Sequence, residues 1–337
     1  MPTEKVICIG SASKDIFFPT AEGMITDTPD DLTSQKKIAF ELGGKIYIKD
    51  RFEALGGVAL NVAMGLAKLG ILSAPYACVG DDFEGGWIIR ELEKAGVKTN
   101  LLEKRKEMRS DLSAIIVDQE SGERTIFVSR DANEHLKVSE DQLCNATWLF
   151  VSSLCGNVEE NFRTILSAID TGKVSLAFNP GQGNIKTNVS LVIEVLRRST
   201  IVILNKDEAT EIVSAMKEKY HDDLRSMFTL LRALKSSGPE IVVITDGKNG
   251  AWTFSGRSVY FCDSAETSPV DQTGAGDAFA SGFLSAHFRG EELSQALAWG
   301  TANAGNVVRF HGAIEGLLGE EKIKRDAKKV KVEKQED

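Results

Sequence analysis

The residues best suited to chemistry are a glycine-rich turn and the acid that closes it, in the segment Asp271–Asp277 (DQTGAGD). Apolar residues recur at helical spacing after Asp277, which predicts a helix that begins near Ala275. Small residues ahead of a helix let the backbone approach an anion, and the free N–H groups of the first turn stabilise its charge. A carboxylate in that turn is either a helix cap or a general base beside an anion site. The residue types alone leave both interpretations open.

A second polar pair follows the predicted strand Ile201–Leu204. Asn205 and Glu208 lie three residues apart where a helix begins. Ligands of open α/β sheets bind at the carboxyl ends of strands, and a carboxylate oxygen suits Mg²⁺. The pair is therefore either part of a metal and nucleotide site or a plain helix cap.

A third turn follows the predicted strand Ile241–Thr245 and contains two glycines, Gly247 and Gly250. Side-chain bulk at these positions would obstruct a nucleotide, so the glycines are consistent with a binding turn. A tight β-turn before a hairpin explains them equally well.

The elements that must position these residues alternate between strands and helices. Short β-branched runs predict strands at Val6–Ile9, Ala74–Val79, Trp148–Val151, Val174–Phe178, Ile201–Leu204 and Ile241–Thr245. Apolar residues at helical spacing predict helices at Ala59–Leu69, Trp87–Ala95, Asn161–Asp170, Val189–Leu196 and Leu224–Lys235. This alternation predicts an α/β fold, a three-layer α/β/α sandwich around a mostly parallel sheet.

Two stretches interrupt the alternation, residues 16–53 and 108–130. The first lacks a helical pattern and ends in the strand-like segment 45–52, while the second predicts a hairpin around Ser121–Gly122. Together they indicate a small β-sheet lid or surface decoration, and spacing does not decide between the two. We therefore predict one domain over residues 1–320 that includes this lid. Residues 321–337 are predicted to be a charged tail, either a solvated helix or a frayed end.

Composition and missing motifs exclude several classes of protein. Lys and Arg number 40 against 49 Asp and Glu, a net charge of −9 that argues against nucleic-acid binding. The chain has no apolar run of membrane-spanning length and no signal-peptide pattern, so we expect no membrane association. Five scattered cysteines without a CxxC pair indicate free thiols in a reducing cytoplasm. P-loop, dinucleotide-binding and nucleophile-elbow motifs are absent.

Taken together, the motifs resemble those of the ribokinase-like (PfkB) carbohydrate kinase family. Asp271–Phe279 is similar to the family signature D-T-x-G-A-G-D-x-F, with Gln272 in place of the usual Thr. Other family motifs occur in the expected order, at Gly10–Asp15, Leu55–Ala63, Val79–Asp82, Asn205–Glu208, Thr245–Ala251 and Asn303–Ala313. The resemblance spans about residues 5–320 and implies a ribokinase-like fold with a β-sheet lid.

The resemblance also implies roles for individual residues. Asp277 would take the proton from a substrate CH₂OH as it attacks the γ-phosphate of ATP. The developing charge on the phosphoryl group would be stabilised by the amides of Gly274, Ala275 and Gly276. Substrate hydroxyls are expected at Asp15, Gly56, Gly57 and Asn61, and ATP at Asn205, Thr245, Gly247, Gly250 and Asn303. Glu208 would hold Mg²⁺ through water, and some members hold a monovalent cation such as K⁺ at the positions of Asp271 and Thr273.

The substrate is the least defined part of this interpretation. Phosphosugar kinases of the family tend to carry a lysine where this chain has Val58, which favours an unphosphorylated acceptor. We expect a sugar kinase, with a nucleoside kinase as the alternative. A ligand-binding pseudokinase is a third reading, which the retained Asp277 argues against. A homodimer that pairs through the lid is compatible with the resemblance.

Overall fold

The chain forms a large central sheet, a small second sheet and flanking helices. The computed structural model describes residues 5–27, 36–120, 124–216, 224–265 and 269–335. Its strands are β1 (Lys5–Ile9), β2 (Ser13–Thr20), β3 (Met24–Asp27), β4 (Lys36–Ala39), β5 (Phe52–Gly56), β6 (Leu72–Gly80), β7 (Leu102–Arg105), β8 (Asp111–Asp118), β9 (Arg124–Ser129), β10 (Trp148–Ser152), β11 (Ser175–Asn179), β12 (Ile201–Asn205), β13 (Ile241–Thr245), β14 (Ala251–Phe254), β15 (Val259–Cys262) and β16 (Val332–Gln335).

The helices follow the strands in alternation over most of the chain. They are α1 (Val58–Lys68), α2 (Phe83–Lys94), α3 (Glu140–Leu143), α4 (Val158–Asp170), α5 (Gly181–Arg197), α6 (Lys206–Ala215), α7 (Met227–Ser236), α8 (Ala275–His287), α9 (Leu293–Val307) and α10 (Glu320–Ala327). Short 3₁₀ turns lie at Ala132–His135 and Gly247–Asn249. In the part of the chain that the structure describes, no helix is long and apolar enough to cross a bilayer.

The central sheet contains ten strands in the order β16-β15-β14-β13-β12-β11-β10-β1-β6-β7. The seven strands from β13 to β7 are parallel, and β14, β15 and β16 extend one edge in antiparallel fashion. Successive side chains of a strand point to opposite faces, so each buried strand supplies two cores. Cys8 of β1, for example, packs into one core and Ile9 into the other.

Helices cover both faces, which gives the three layers. Buried residues of α1, α2, α8, α9 and α10 share one core with the sheet, and those of α4 to α7 share the other. Trp299 of α9 and Phe162 of α4 are among the largest fully buried side chains, one in each core. The predicted α/β sandwich is thus confirmed, and all six predicted strands are present.

The two interrupting stretches do form a separate small sheet. Its strand order is β5-β2-β8-β9, with β2 and β8 parallel and the outer pairs antiparallel, and β3 pairs with β4 beside it. We call the four-stranded sheet the lid sheet. Within the strand-like segment 45–52 only Phe52 belongs to a strand, and the predicted turn at Ser121–Gly122 lies outside the described residues.

Two helices differ from their predicted bounds more than the others do, for local reasons. Helix α2 begins four residues before the predicted start because the Asp82 carboxylate accepts a hydrogen bond from the Gly85 amide and caps it. Helix α5 begins eight residues earlier than predicted, because two helical pieces meet at Asn188, whose backbone is not helical.

Over most of residues 321–335 the predicted tail is a helix followed by a strand, which agrees with the helical alternative and not with a frayed end. Helix α10 buries Ile323 and Ala327 completely or nearly so, and these side chains join the core of α1, α8 and α9. Strand β16 then pairs with β15 at the edge of the sheet. The charged residues that suggested a tail lie on the exposed side of a helix whose apolar side is narrow.

We expect Ile323→Ala to lower the free energy of unfolding by about 2–5 kcal/mol, because it leaves a cavity in a closed core. The matched change Lys324→Ala, on the exposed side of α10, should alter it by less than about 0.5 kcal/mol. Urea denaturation of both variants measures the difference. Equal stabilities for the two variants would contradict the placement of α10 in the core.

Candidate active site

The strand order creates a crevice at the carboxyl end of β1. The chain leaves β1 to form β6 and β7 on one side and later returns to form β10 on the other. Ligands of open α/β sheets bind at such a switch point. Gly10 lets the end of β10 and the start of α1 approach β1. A Cβ on Gly10 would lie 2.4 Å from the Ser152 carbonyl oxygen and 2.8 Å from Val58 Cγ1. The end of β1, the end of β10 and the start of α1 therefore meet here.

Two glycines join the lid sheet to α1 at this crevice. Gly57 caps α1 with a φ of 87°, and a Cβ on it would lie 2.5 Å from the Ser11 carbonyl oxygen. A Cβ on Gly56 would lie 2.2 Å from an Asp15 carboxylate oxygen. Larger residues would displace Asp15 or the helix, so the close contact depends on glycine. The structure thus brings together Asp15, Gly56 and Gly57, as predicted for a substrate site.

Asn61 joins these residues to Asp277. It lies one turn into α1, is 5% exposed, and donates a hydrogen bond from Nδ2 to Asp277 Oδ2 at 2.8 Å. Its Oδ1 atom is buried and has no hydrogen-bond partner among the described residues. A buried acceptor without a donor is costly, and at a crevice it indicates a place for a ligand hydroxyl.

Asp277 has a raised pKa, about 7. Burial is the main cause because it disfavours the charged carboxylate; the hydrogen bond from Asn61 acts in the opposite direction, and the negative charge of Asp15 raises the pKa further. A carboxyl group with a pKa near neutrality is well suited to accept a proton under physiological conditions. Asp277 is also the third residue of α8, where the helix dipole favours negative charge.

Asp15 faces the crevice from the lid sheet. In the sheet register it lies in a row with Ala54, Ser113 and Val128 of the three neighbouring strands. Ser13 Oγ donates to Asp15 Oδ1 at 3.0 Å. Burial raises the pKa of Asp15, hydrogen bonds from Ser113 and Ser13 oppose the rise, and the negative charge of Asp271 adds to it.

Asp271 is fully buried and ties two loops together. Its Oδ1 accepts from the Thr273 amide at 2.9 Å and the Thr273 hydroxyl at 2.7 Å, and its Oδ2 accepts from the Gly312 amide at 2.8 Å. The carboxylate therefore has three donors before any cation is considered. It fixes the turn ahead of α8 against the loop between α9 and α10.

The turn ahead of α8 has the backbone that an anion hole requires. Gly274 is left-handed, with a φ of 75°, and it offers no side-chain cap to the first amides of the helix. A Cβ on Gly274 would lie 2.2 Å from Ala313 Cβ, whereas one on Gly276 would meet nothing within 4 Å. The Ala275 amide already donates to the Gln272 carbonyl at 3.3 Å. Of the two glycines, only Gly276 has open space where a side chain would begin.

The predicted nucleotide residues gather at the adjoining part of the same sheet edge. Asn205 and Thr245 are register partners at the ends of β12 and β13. The left-handed Gly250 permits a close approach, since a Cβ there would lie 2.2 Å from the Cys262 carbonyl oxygen. No heavy atom lies within 4 Å of a Cβ on Gly247. The turn thus leaves open space beside Thr245.

Glu208 forms a capping box with Asn205. Asn205 Oδ1 accepts from the Glu208 amide at 2.9 Å, and Glu208 Oε2 accepts from the Asn205 amide at 3.0 Å. Glu208 is 7% exposed, and burial raises its pKa. The helix cap is therefore present, while the metal role of Glu208 stays a prediction that the box does not prevent, because the second carboxylate oxygen takes no part in it.

Asn303 does not belong with the predicted ATP residues. It is fully buried, its Nδ2 donates to the Ala278 carbonyl at 2.8 Å and to Ser281 Oγ at 3.2 Å, and its Oδ1 accepts from the Leu318 amide at 2.9 Å. All of its polar groups hold α8, α9 and the segment before α10 together. The sequence prediction is corrected here: Asn303 has a structural role.

A magnesium ion fits this edge of the sheet only if most of its ligands are not protein side chains. Among the described residues, no group of three or more His, Cys, Asp or Glu side chains is arranged to hold a metal. Glu208 is a single buried carboxylate at the edge. Such a donor set matches an ion held mainly by phosphate oxygens and water, which is how Mg²⁺ is commonly bound beside nucleotides.

Two residues at the site were not predicted from the sequence. Ser113 supports Asp15, and the alternation of buried residues along β8 places it on the same face as Ile115 and Val117. His311 stacks on Phe52 of the lid sheet. The sequence could have indicated His311 through its neighbour Gly312, which belongs to the family motif Asn303–Ala313.

Comparison with known proteins identifies the class to which this fold and site belong. A sequence profile described as pfkB family carbohydrate kinase matches residues 3–318. An uncharacterized sugar kinase of Archaeoglobus fulgidus is 30% identical over 258 residues, which cover 75% of this chain and 98% of that protein. A nucleoside kinase of Methanocaldococcus jannaschii is 25% identical over 320 residues, 95% of each chain.

Solved structures show the same fold. The crystal structure of Methanocaldococcus jannaschii nucleoside kinase, an archaeal member of the ribokinase family, aligns with a TM-score of 0.76 at 23% identity and covers 97% of this chain and 99% of that one. Ribokinase from Cryptococcus neoformans, solved with ADP, aligns with a TM-score of 0.74 at 22% identity, covering 96% and 99%. The chain belongs to the pfkB family of carbohydrate kinases. It is accordingly a phosphotransferase with an alcohol group as acceptor.

We expect kcat/KM for the acceptor to rise with pH along a limb whose apparent pKa is about 7, because Asp277 must be ionised to take a proton. Asn61→Ala should move the limb to higher pH, since it removes the hydrogen bond that stabilises the carboxylate. Asp15→Asn should move it to lower pH, since it removes a neighbouring negative charge.

The pH–rate profile of each variant gives the apparent pKa of the limb, and this value can be read even if the substitution also lowers kcat/KM at every pH. Asp170→Asn, an exposed acid at the end of α4, serves as the control and should leave the limb unmoved. Shifts of the same sign for Asn61→Ala and Asp15→Asn would contradict this assignment of the titrating group.

Proposed function

We propose that the chain transfers the γ-phosphate of ATP to a primary hydroxyl of an unphosphorylated sugar, with Asp277 as the general base. The observation that carries this proposal is the Asn61–Asp277 pair. Asn61 Nδ2 donates a hydrogen bond of 2.8 Å to Asp277 Oδ2 and so orients the carboxylate. Asn61 Oδ1, beside it, is buried and has no hydrogen-bond donor among the described residues. A hydroxylated acceptor supplies that donor and also presents a CH₂OH group to the base.

The acceptor binds between the lid sheet and α1. Asp15 accepts hydrogen bonds from its hydroxyls, Asn61 accepts one at Oδ1, and Gly56 and Gly57 leave room for its ring. Binding removes Asp277 from the remaining water. The acceptor hydroxyl then lies within hydrogen-bond reach of the carboxylate, as general-base catalysis requires.

The chemical step moves one proton and one phosphoryl group. Asp277 takes the proton of the attacking hydroxyl, a new O–P bond forms to the γ-phosphorus, and ADP leaves with the electrons of the broken bond. The amides of Gly274, Ala275 and Gly276 stabilise the charge that develops on the transferred group. The Gly274 and Gly276 amides have the largest share in this proposal, because the Ala275 amide is partly engaged by the Gln272 carbonyl.

The nucleotide is assigned to Asn205, Thr245, Gly247 and Gly250. Two observations support this assignment. Asn205 and Thr245 lie at the same edge of the sheet, and there is open space beside Gly247 for a ligand. Mg²⁺ bound to the phosphates would neutralise charge on the leaving group, and Glu208 would hold its water ligands. K⁺ at Asp271 and Thr273 is proposed as a structural ion, for which Asp271 Oδ2 retains a free lone pair beyond its bond to Gly312.

The unphosphorylated acceptor follows from the charges around Asp15. Val58 offers no cation after the two glycines. Lys14, the neighbour of Asp15 in β2, points to the other face of the strand, where it pairs with Glu53 at 2.8 Å and lies 4.9 Å from the Trp87 ring centre. Its charge is therefore neutralised by Glu53 and is not available to a phosphate group on the acceptor.

The five cysteines are unpaired, which supports a cytoplasmic location.

A nucleoside acceptor is the second candidate. Ala54 and Val128 flank Asp15 and Ser113 in the lid row, and Val128 is 53% exposed. Such apolar side chains can contact a nucleobase while Asp15 binds the sugar hydroxyls. The similarity to a nucleoside kinase supports this reading as well. A pseudokinase is disfavoured because a sensor has no use for a carboxylate tuned near neutrality.

We expect Asp277→Asn to retain ATP binding and to lower turnover by about 10²-fold or more, because the acceptor proton loses its base. ADP release is measured with ribose, fructose, 2-keto-3-deoxygluconate, adenosine, cytidine and inosine as acceptors, with and without K⁺. Turnover only with nucleosides selects the second candidate, and turnover with none supports the pseudokinase. Near-normal turnover in Asp277→Asn would refute Asp277 as the base.

We also propose that two copies of the chain pair through their lid sheets. The outer strand β9 exposes Ile126, Phe127 and Val128 by 43%, 62% and 53%. An exposed apolar edge strand is a template for pairing with another chain. We expect a dimer in sedimentation velocity that Phe127→Lys converts to a monomer. A wild-type monomer, or a dimer unaffected by Phe127→Lys, would contradict the proposal.

A further inference from the structure

The first half of the connection between α9 and α10, called here the loop 308–313, is attached to the turn that contains the proposed anion hole. The Val308 carbonyl accepts hydrogen bonds from the Val270 amide at 2.7 Å and the Asp271 amide at 3.2 Å. The Gly312 amide donates to Asp271 Oδ2 at 2.8 Å. These bonds make residues 270–273 and the loop 308–313 one unit.

Packing extends this unit to the first turn of α8. An added Cβ on Gly274 would lie only 2.2 Å from Ala313 Cβ, so the backbones at these two positions are in direct contact. Because the two backbones are closely packed, a movement of the loop 308–313 displaces the first turn of α8 as well. The position of Gly274–Gly276 therefore depends on the position of residues 308–313.

The opposite side of the loop lies against the lid sheet. The His311 ring stacks on Phe52 of β5, with ring centres 4.6 Å apart and an angle of 18°, and its centre lies 6.4 Å from that of Phe17 of β2. A Cβ on Gly312 would lie 2.9 Å from Ala54 Cβ. Strand β2, which carries Asp15, and strand β5, which ends at Gly56, thus lie against the loop.

Ring contacts position the imidazole on this side. The Nδ1 atom of His311 is buried, and it has no hydrogen-bond partner among the described residues. A buried nitrogen left in this state costs free energy, so its hydrogen bonding does not explain the placement of the ring. Stacked aromatic rings attract beyond the area that they bury. The stack with Phe52 is accordingly the contact that holds His311 to the lid sheet.

We propose that His311 is a positioning residue that couples the lid sheet to the anion hole. This inference rests on the proposed function, because it assigns the anion hole and the lid to one reaction. When the lid sheet lies over the acceptor, the His311–Phe52 stack holds the loop 308–313 in place. Asp271, Gly274 and Gly276 are then arranged for phosphoryl transfer, so the catalytic amides are ordered together with the cover of the acceptor.

The coupling is tested first by a double-mutant cycle in the full chain. His311→Ala and Phe52→Ala should each lower kcat about tenfold, and the double variant should match either single variant within about twofold, because one contact is lost in all three. The KM for ATP should stay within about twofold of wild type, since neither residue is among those assigned to the nucleotide. His311→Phe, which keeps a stacking ring, should restore most of kcat.

Tyr47→Ala is the matched control, because Tyr47 is an aromatic residue of the lid segment that is 82% exposed. It should leave kcat unchanged. Additive effects of His311→Ala and Phe52→Ala, or a His311→Phe variant as slow as His311→Ala, would overturn the proposal. Where Phe52→Ala does not fold, Phe52→Leu replaces it in the cycle.

Hydrogen exchange tests the coupling without any turnover or ligand. Phe52→Ala should speed amide exchange in residues 270–276, which the Phe52 side chain reaches only through His311 and its loop. Tyr47→Ala should not. Unchanged exchange in Phe52→Ala overturns the coupling, whereas retained turnover in Asp277→Asn refutes the proposed base and leaves this result standing.

Discussion

One hydrogen bond, from Asn61 Nδ2 to Asp277 Oδ2, is the interaction on which the site depends. It joins the first turns of α1 and α8, whose bodies are packed so closely that a Cβ on Gly65 would lie 2.2 Å from Ser281 Oγ. Burial disfavours the Asp277 carboxylate, and the Asn61 amide offsets part of that penalty. The packing of the two helices and the protonation of the acid are thus set by the same contact.

The electrostatics of the crevice follow from three acids that influence one another, Asp15, Asp271 and Asp277. The charge of Asp271 raises the pKa of Asp15, and that of Asp15 raises the pKa of Asp277. Asp271 has three donors, Asp15 is bound by hydroxyls, and Asp277 has the Asn61 amide. Asp277, the acid with the fewest donors, has a pKa raised to about 7. The net charge of −9 therefore says little about anionic ligands, which in the proposed mechanism would be bound by backbone amides.

The fold was predictable because it rests on local patterns. Strand composition and helical spacing predicted the sandwich, and the glycine-rich turn singled out Asp277 as the candidate base. Asn303 was misjudged because its role comes from the packing of α8 against α9, which no local pattern reveals. Ile323 was hidden among charges, and His311 has meaning only beside Phe52, distant in sequence. Contacts between remote segments are what the sequence did not disclose.

The sequence distance across the Asn61–Asp277 bond has a consequence for how the protein is made. The two residues are separated by 216 positions, so the pair belongs to the contacts of highest order in the chain. Contacts of this kind form late, after the entropy of closing a long loop has been met. A partly folded chain, or one still being synthesised, would have neither an oriented base nor the amide that holds it. The orientation of Asp277 is therefore a property of the complete fold and not of either segment alone.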